Sequence, residues 1–197
     1  MSLFVKICGI TSTDAASAAV DAGANALGFV FADSPRQITP SLATDLARDL
    51  PRHVEKVAVF RRPHRNEIES VLAGFDADTV QADWSSLVGF DDRPVLPVLR
   101  DLDCPDCDGQ RILFEGVRSG VGERADWSMA NQLARRSRLV LAGGLSTGNV
   151  GEAIAAVHPF GVDVSTGVES SPGLKDPRLI ASFTKEVRRI EKEMVNI

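Results

Sequence analysis

The chain has 197 residues, 44% of them hydrophobic, and its 22 basic and 27 acidic residues give a formal net charge of −5. A chain of this length and hydrophobic content can bury one sizeable core, and no linker-like segment divides it, so we expect a single domain over residues 1–197. The negative charge and the scattered basic residues argue against nucleic-acid binding.

The sequence offers no targeting or membrane signal. The first residues lack a basic segment followed by a long apolar run, and nowhere do 18 apolar residues run together. We therefore expect a cytoplasmic protein without membrane association. Its three cysteines, an odd number, argue against a disulfide framework. Cys104 and Cys107 form a lone CxxC, but the histidines are too far apart to complete a zinc site, so we expect a surface turn at Pro105 and Asp106 and no metal.

Short β-branched runs alternate with helical segments along the whole chain. The predicted strands are 3–8, 25–31, 54–60, 78–81, 94–99, 111–115, 138–142 and 161–165. The predicted helices are 13–22, 40–49, 65–73, 126–136, 147–157 and 176–194, the last with an apolar stripe that extends to Met194. Segments 82–93 and 100–110 are too short or too rich in Pro and Asp, so we expect the fourth and fifth helices to be short or replaced by loop.

Eight strand and helix repeats predict either a (β/α)8 TIM barrel or an open doubly wound sheet. The strand faces favour the barrel. In the first and last strands one parity is apolar, while the other carries Lys6, Cys8, Asp163 and Ser165. A barrel that closes strand 1 onto strand 8 would let Lys6 pair with Asp163, since an unpaired charge inside the barrel would be costly. We therefore predict a compact α/β, single-domain (β/α)8 barrel.

Two glycine clusters follow the last two barrel strands, "LAGGLSTGN" (141–149) and "DVSTGVESSPGLKD" (163–176). Glycine lets the backbone approach an anion, and the loops after strands 7 and 8 hold phosphate in many barrels of this class. We place Gly143, Gly144, Thr166 and Gly167 around such a phosphate. Either cluster alone would also fit a plain turn before a helix.

Two further residues stand near the same rim. Asp126 ends the glycine-rich stretch "EGVRSGVGERADW" (115–127), just before a helix, where a carboxylate would serve as a cap. Arg36, in "FADSPRQI", follows strand 2, where a guanidinium would suit a carboxylate or phosphate through paired hydrogen bonds. A helix cap and a solvated surface arginine are the alternative interpretations.

Five segments together resemble one enzyme family. They are "KICGIT" (6–11), "DAGANALGFVFADSPRQI" (21–38), "ADW" (125–127), "LAGGLSTGNV" (141–150) and the 163–176 cluster. In this order and over essentially the whole chain, they resemble phosphoribosylanthranilate isomerase. The resemblance implies a compact (β/α)8 barrel and a cofactor-free Amadori rearrangement of N-(5-phosphoribosyl)anthranilate to 1-(2-carboxyphenylamino)-1-deoxyribulose 5-phosphate, in tryptophan biosynthesis.

The resemblance also implies roles for individual residues. Cys8 would be the general base and Asp126 the general acid, while Arg36 would hold the anthranilate carboxylate. Because an ordinary thiol is only a few per cent ionised at pH 7, we expect the site to favour the Cys8 thiolate, through Lys6 or helix N-termini. The expected substrate contacts also include Gln81, Gly120, Gly122, Gly143, Gly144, Asp163, Ser165, Thr166 and Gly167. We expect a phosphosugar substrate, no cofactor, and a monomer or homodimer.

The sequence departs from the family pattern in three places. "QADW" (81–84) stands where the family commonly has Gln-Leu-His-Gly, "AVFRR" (58–62) where it tends to Gly-Val-Phe-Val-Asn, and Glu115 where Asp is more usual. Glu115 is therefore the main rival to Asp126 as proton donor. Two alternative functions stay open, a histidine-pathway or dual-pathway isomerase and a non-catalytic phosphosugar-binding barrel. The first normally needs aspartates after strands 1 and 5, where this chain has Cys8 and Arg100.

Overall fold

Eight parallel strands close into one barrel in the computed structural model, which describes residues 2–102, 107–116, 122 and 124–195. The strands are β1 (Phe4–Cys8), β2 (Ala26–Val30), β3 (Glu55–Val59), β4 (Thr79–Asp83), β5 (Val95–Leu99), β6 (Arg111–Phe114), β7 (Arg138–Leu141) and β8 (Gly161–Val164). They lie side by side in chain order, and β1 pairs with β8 to complete the ring. The sequence-based prediction of a (β/α)8 barrel is confirmed.

The helices surround the barrel where the hydrophobic pattern placed them. They are α1 (Thr13–Asp21), α2 (Pro40–Ala47), α3 (Arg65–Leu72), α4 (Trp127–Ala134), α5 (Val150–Val157) and α6 (Pro177–Val195). After β4 the chain forms only a 3₁₀ turn, Trp84–Ser86, and the described residues between β5 and β6 contain no helix. The expectation of missing or shortened fourth and fifth helices is confirmed. No helix in the described part of the chain is long and apolar enough to cross a membrane.

Three helices begin later than predicted, α6 by one residue at Pro177, and in α4 and α5 the polar residues before the helix form caps and turns. Asp126 is the N-cap of α4 and not its first helical residue. Before α5, the Asn149 side chain accepts from the Ser146 backbone N–H at 2.8 Å and donates to Gly144 O at 2.9 Å. These bonds offer the backbone an alternative to the helix, so α5 begins at Val150.

A short hairpin after β8 was not predicted. Strands β9 (Glu169–Ser171) and β10 (Leu174–Lys175) pair antiparallel outside the barrel. Gly173, between them, has a φ of +84°, and a Cβ there would lie 2.4 Å from the Pro35 carbonyl oxygen. The absence of a side chain lets the hairpin pack against the loop that follows β2, which carries Arg36.

The core follows the strand parity seen in the sequence. Val5, Ile7, Val162 and Val164 pack outward in the main hydrophobic cluster, together with buried residues of the helices. The opposite parity points into the barrel. In α6, Ile180, Phe183 and Val187 are fully buried, whereas Met194 is 41% exposed and ends the predicted stripe outside the core.

Candidate active site

Cys8 is the last residue of β1, so the barrel holds its thiol at the carboxyl-terminal rim. The residue is 7% exposed and lies beside Gly28 of β2 in the strand register. A Cβ on Gly28 would stand 2.9 Å from Cys8 Sγ, closer than real Cβ contacts, and 3.1 Å from Lys6 Nζ, which is also a tight contact. Gly28 therefore leaves the room in which the thiol and the ammonium group lie side by side.

Lys6 and Asp163 form the ion pair predicted from the strand parity. Lys6 Nζ donates to Asp163 Oδ1 at 2.8 Å across the β1–β8 seam, and the lysine side chain is fully buried. Burial by itself lowers the pKa of Lys6, but Asp163 and Cys8 outweigh it and hold that pKa above its ordinary value. Lys6 thus keeps a positive charge next to the thiol.

The expected preference for the Cys8 thiolate is wrong for the substrate-free site. Burial raises the pKa of the Cys8 thiol, and Lys6 and Lys175 lower it only in part. Desolvation disfavours the charged form more strongly than two nearby ammonium groups favour it. Cys8 is therefore a thiol at neutral pH before substrate binds, with two positive charges placed to stabilise the anion once a proton leaves.

Arg36 is buried and bound to a carboxylate of its own chain. Its Nε and Nη2 atoms donate to the two carboxylate oxygens of Glu169 at 2.7 and 2.8 Å, and the residue is 6% exposed. Lys175 Nζ donates to the same Glu169 at 2.7 Å and to the Ser165 backbone oxygen at 3.0 Å. The alternative of a solvated surface arginine does not hold.

Arg36, Glu169 and Lys175 lie close enough to shift one another's pKa values. Burial raises the pKa of Glu169, but the hydrogen bonds from Arg36 and Lys175 outweigh it, so the net pKa lies below the ordinary value. Burial lowers the pKa of Lys175, and the nearby Glu169 carboxylate raises it only in part. Glu169 stays ionised and holds two cations near Cys8.

One cavity collects many of the predicted site residues. Cys8, Arg36, Gln81, Asp163 and Ser165 line it, together with apolar side chains of Val30, Val59, Phe60 and Val98. The Gln81 side-chain oxygen is buried and accepts no hydrogen bond from the described residues. Because a buried amide oxygen normally has a partner, it is placed to accept from a ligand.

Asp126 lies outside this cavity's described lining. It is exposed, and one carboxylate oxygen accepts from the backbone N–H groups of Ser128 at 2.9 Å and Met129 at 3.1 Å. The structure therefore gives Asp126 the capping role that the sequence suggested. Its rival Glu115 lines the cavity and accepts from Arg100 Nη2 at 2.7 Å. Gly120, a predicted substrate contact, lies outside the described residues.

The loops after β6, β7 and β8 meet through their glycines. A Cβ on Gly167 would lie 2.0 Å from Leu145 O, and Gly167 bridges to Ser146 in parallel pairing. A Cβ on Gly144 would lie 2.8 Å from Gly122 O. No side chain fits at either contact, so three backbone segments approach one another as closely as glycine permits.

This meeting point has the character of an anion site. Gly143 and Gly144 have φ angles of +84° and +63°, and Gly122 faces Thr166, whose Oγ1 would lie 3.2 Å from an added Cβ. The Thr147 hydroxyl is buried and has no hydrogen-bond partner among the described residues. Left-handed glycines turn backbone N–H groups toward a common point, which suits phosphate.

The described ranges contain no cluster of three His, Cys, Asp or Glu side chains that could hold a metal ion. Of the CxxC, Cys107 is buried, while Cys104, Pro105 and Asp106 lie outside the described residues.

Comparison with known proteins decides the family. Residues 5–186 match the model of the N-(5'-phosphoribosyl)anthranilate isomerase family. The chain belongs to this family. The isomerase of Oceanobacillus iheyensis is 38% identical over 200 residues, which cover 95% of this chain and 98% of the relative. The crystal structure of the Thermus thermophilus isomerase superposes with a TM-score of 0.84 at 31% identity, covering 95% of this chain and 100% of that one.

A second solved member of the family carries a ligand. It is phosphoribosylanthranilate isomerase in complex with reduced 1-(o-carboxyphenylamino)-1-deoxyribulose 5-phosphate, with a TM-score of 0.81, 33% identity, and coverage of 95% of this chain and 99% of that one.

The predicted site residues of this phosphoribosylanthranilate isomerase family member fall into two groups, apart from Asp126, which lies in neither, and Gly120, which lies outside the described residues. The first lines the Cys8 cavity, and the second, Gly122, Gly143, Gly144, Thr166 and Gly167, forms the glycine meeting point. Sequence reasoning assigned no role to Glu169 and Lys175, although both lie in the 163–176 motif. Nothing in their spacing shows that they hold Arg36, because the contact depends on where the unpredicted hairpin packs.

Proposed function

We propose that this chain catalyses the Amadori rearrangement of N-(5-phosphoribosyl)anthranilate to 1-(2-carboxyphenylamino)-1-deoxyribulose 5-phosphate, a step of tryptophan biosynthesis. The observation that carries the proposal is a buried thiol at the barrel rim. Cys8 opens into a cavity that also holds a carboxylate-binding arginine, in a chain that matches the isomerase family over residues 5–186.

The reaction needs an acid and then a base. Asp126, as the general acid, gives a proton to the furanose ring oxygen, and the ring opens to a Schiff base. Cys8 loses its thiol proton to solvent, and the thiolate then removes the proton from sugar C2; the resulting enolamine tautomerises to the ketone. Lys6 and Lys175 stabilise the thiolate, because both lower the pKa of Cys8 against the effect of burial.

The two ends of the substrate meet different parts of the site. The phosphate binds at the glycine meeting point of Gly122, Gly143, Gly144, Thr166 and Gly167, to which Gly120 belongs by sequence. The anthranilate carboxylate binds at Arg36, where Arg36, Glu169 and Lys175 together leave one positive charge. Gln81, Asp163 and Ser165 contact the sugar, and the apolar cavity wall takes the aromatic ring.

The remaining properties follow the same proposal. Each step is a proton transfer by a side chain, so the reaction needs no cofactor or metal. The chain acts as one domain over residues 1–197, as a monomer or homodimer, in the cytoplasm, without nucleic-acid or membrane partners.

The decisive experiment follows the fluorescence decay of freshly prepared phosphoribosylanthranilate with wild type and Cys8→Ser side by side. We expect fast decay with wild type and none with the variant, because a serine hydroxyl is far too weak an acid to supply the base. Equal decay in both would remove Cys8 from the reaction. No decay in either folded protein would leave a phosphosugar-binding barrel.

A further inference from the structure

Four charged side chains form a continuous network along the rim of strands β3 to β6. Arg62 Nε donates to Asp83 Oδ2 at 2.8 Å, Arg100 Nη1 to Asp83 Oδ1 at 2.7 Å, and Arg100 Nη2 to Glu115 Oε1 at 2.7 Å. The three segments in which the sequence departs from its family pattern supply Arg62, Asp83 and Glu115. Arg100 connects them, so these departures form one structural unit.

The inner part of this network belongs to the Cys8 cavity. Asp83, Arg100 and Glu115 all line it, and their side chains are 9%, 19% and 16% exposed. Arg62, by contrast, is 74% exposed and holds Asp83 from outside. Arg100 follows β5 and Arg36 follows β2, so strands β3 and β4 separate the two residues along the barrel rim.

The positive and negative charges of this network are equal in number, and this limits the ligand groups that Arg100 can bind. Among the described residues, two arginines face two carboxylates in this network, whereas Arg36, Lys175 and Glu169 carry one net positive charge. A substrate carboxylate is therefore better placed at Arg36 than beside Asp83 and Glu115, which would repel it. Arg100 needs a different kind of ligand group.

The geometry of the bonds indicates that group. Hydrogen bonds to a guanidinium lie close to its plane, and two carboxylates on either side of β5, Asp83 at the end of β4 and Glu115 just after β6, bind the separate end nitrogens of Arg100. They fix the orientation of the plane. A planar cation held in this way stacks well on an aromatic ring. The apolar wall of Val59, Phe60 and Val98 lines the same cavity.

We propose that Arg100 stacks on the aromatic ring of the substrate and thereby sets the specificity for an arylamine, with Asp83 and Glu115 as positioning residues. This inference rests on the proposed function. It makes the anthranilate ring, and not its carboxylate, the group that Arg100 recognises.

Three ligands separate the possible contacts, with binding measured by calorimetry. They are the reduced carboxyphenylamino deoxyribulose phosphate, its phenylamino counterpart without the carboxylate, and ribulose 5-phosphate without the ring. For Arg100→Gln we expect both aryl ligands to bind about tenfold more weakly, the size of a partly desolvated cation–π contact. Binding of ribulose 5-phosphate should stay unchanged and show that the variant is folded.

Arg100→Lys keeps a positive charge between the two carboxylates but has no planar face. We expect it to lose most of the aryl affinity as well, which a purely electrostatic contact would not do. Asp83→Asn and Glu115→Gln should lower aryl affinity by a smaller factor and spare ribulose 5-phosphate, whereas a general structural defect would weaken all three ligands. Arg189→Gln, which removes an exposed arginine paired on α6, is the matched control.

Two outcomes would overturn the inference. A loss confined to the carboxylate-bearing ligand would make Arg100 a carboxylate contact, and equal affinities in wild type and Arg100→Gln would remove it from the site. Failure of the proposed function is a separate result, because it appears as absent turnover in wild type. The ring-selective binding of the three ligands could still be measured in a wild-type protein without turnover.

Discussion

Arg36 and Glu169, 133 residues apart in the chain, meet in a two-point ion pair in which Nε and Nη2 donate to both carboxylate oxygens. Both side chains are less than 10% exposed. The pair joins the loop after β2 to the β9–β10 hairpin, so it holds Arg36 in place before any ligand arrives. Preorganisation of this kind reduces the entropy lost when a carboxylate binds.

Glu169→Gln should destabilise the fold, because it leaves Arg36 and Lys175 buried without a counter-charge. Removing one partner of a buried pair typically costs about 3–5 kcal/mol in the free energy of unfolding. Urea denaturation of wild type and variant measures the difference. The control is Glu193→Gln, which removes an exposed partner of Arg189 and should change that energy by less than about 1 kcal/mol. A Glu169→Gln loss as small as the control's would contradict the structure.

The same residue should contribute to acid sensitivity. The pKa of Glu169 is lower in the folded chain than its ordinary value near 4.5. A group with a depressed folded pKa stabilises the fold above its unfolded pKa, and that contribution is lost as the pH falls through the folded one. Between pH 5 and pH 3, wild type should therefore lose more unfolding free energy than Glu169→Gln. Urea titrations at each pH give the unfolding free energy of both proteins. If this energy fell equally with pH in wild type and Glu169→Gln, the assignment to Glu169 would be wrong.

The Lys6–Asp163 pair and the Arg36–Glu169 pair show where sequence reasoning succeeds. Closing eight strands into a barrel places β1 beside β8, and the alternation of side chains then points Lys6 and Asp163 inward together. The pair was predictable because strand periodicity and barrel closure leave little choice. Most strand and helix bounds were predictable for the same reason, since burial of one face dictates the pattern.

Arg36–Glu169 and Asp83–Arg100 were not predictable in this way. Each joins loop or strand-end residues whose relative positions depend on tertiary packing, and local sequence carries no signal for that. The ionisation of Cys8 was predicted in the wrong direction, because the extent of burial decides it and a sequence motif does not report burial. The motif identified the residue, while its charge state needed the structure.

Asp126 has two separable roles, and asparagine separates them. Asn caps a helix as well as Asp, so Asp126→Asn should keep the bonds to Ser128 and Met129 and change stability little. Turnover should fall by orders of magnitude, since an amide cannot give up a proton to the ring oxygen. Asp126→Ala should lose the same turnover and also about 1 kcal/mol of unfolding free energy.

Thermal unfolding and the fluorescence decay measure the two effects on the same samples. Near-normal turnover of Asp126→Asn would transfer the acid role to Glu115, and Glu115→Gln would then have to abolish the reaction.

Gly167→Ala tests the glycine meeting point. The added methyl group would lie 2.0 Å from Leu145 O, so the loops after β7 and β8 must separate. We expect at least tenfold weaker binding of ribulose 5-phosphate, because the backbone N–H groups no longer converge on the phosphate. Gly148→Ala is the matched control, since the nearest atom to its added Cβ is Ser146 Oγ at 3.8 Å. Equal phosphate affinity in both variants would place the phosphate elsewhere.

The charge state of Cys8 can be read from its alkylation by iodoacetamide as a function of pH. Only the thiolate reacts, and burial raises the pKa of this thiol, so the rate should rise with pH to a midpoint above the ordinary value of about 8.5. Cys104→Ser and Cys107→Ser in the same chain remove the other two thiols. Lys6→Gln should move the midpoint higher still, because Lys6 lowers the pKa of Cys8. A midpoint below 8.5 would mean that the two lysines outweigh burial, and that Cys8 is already a thiolate when the substrate arrives.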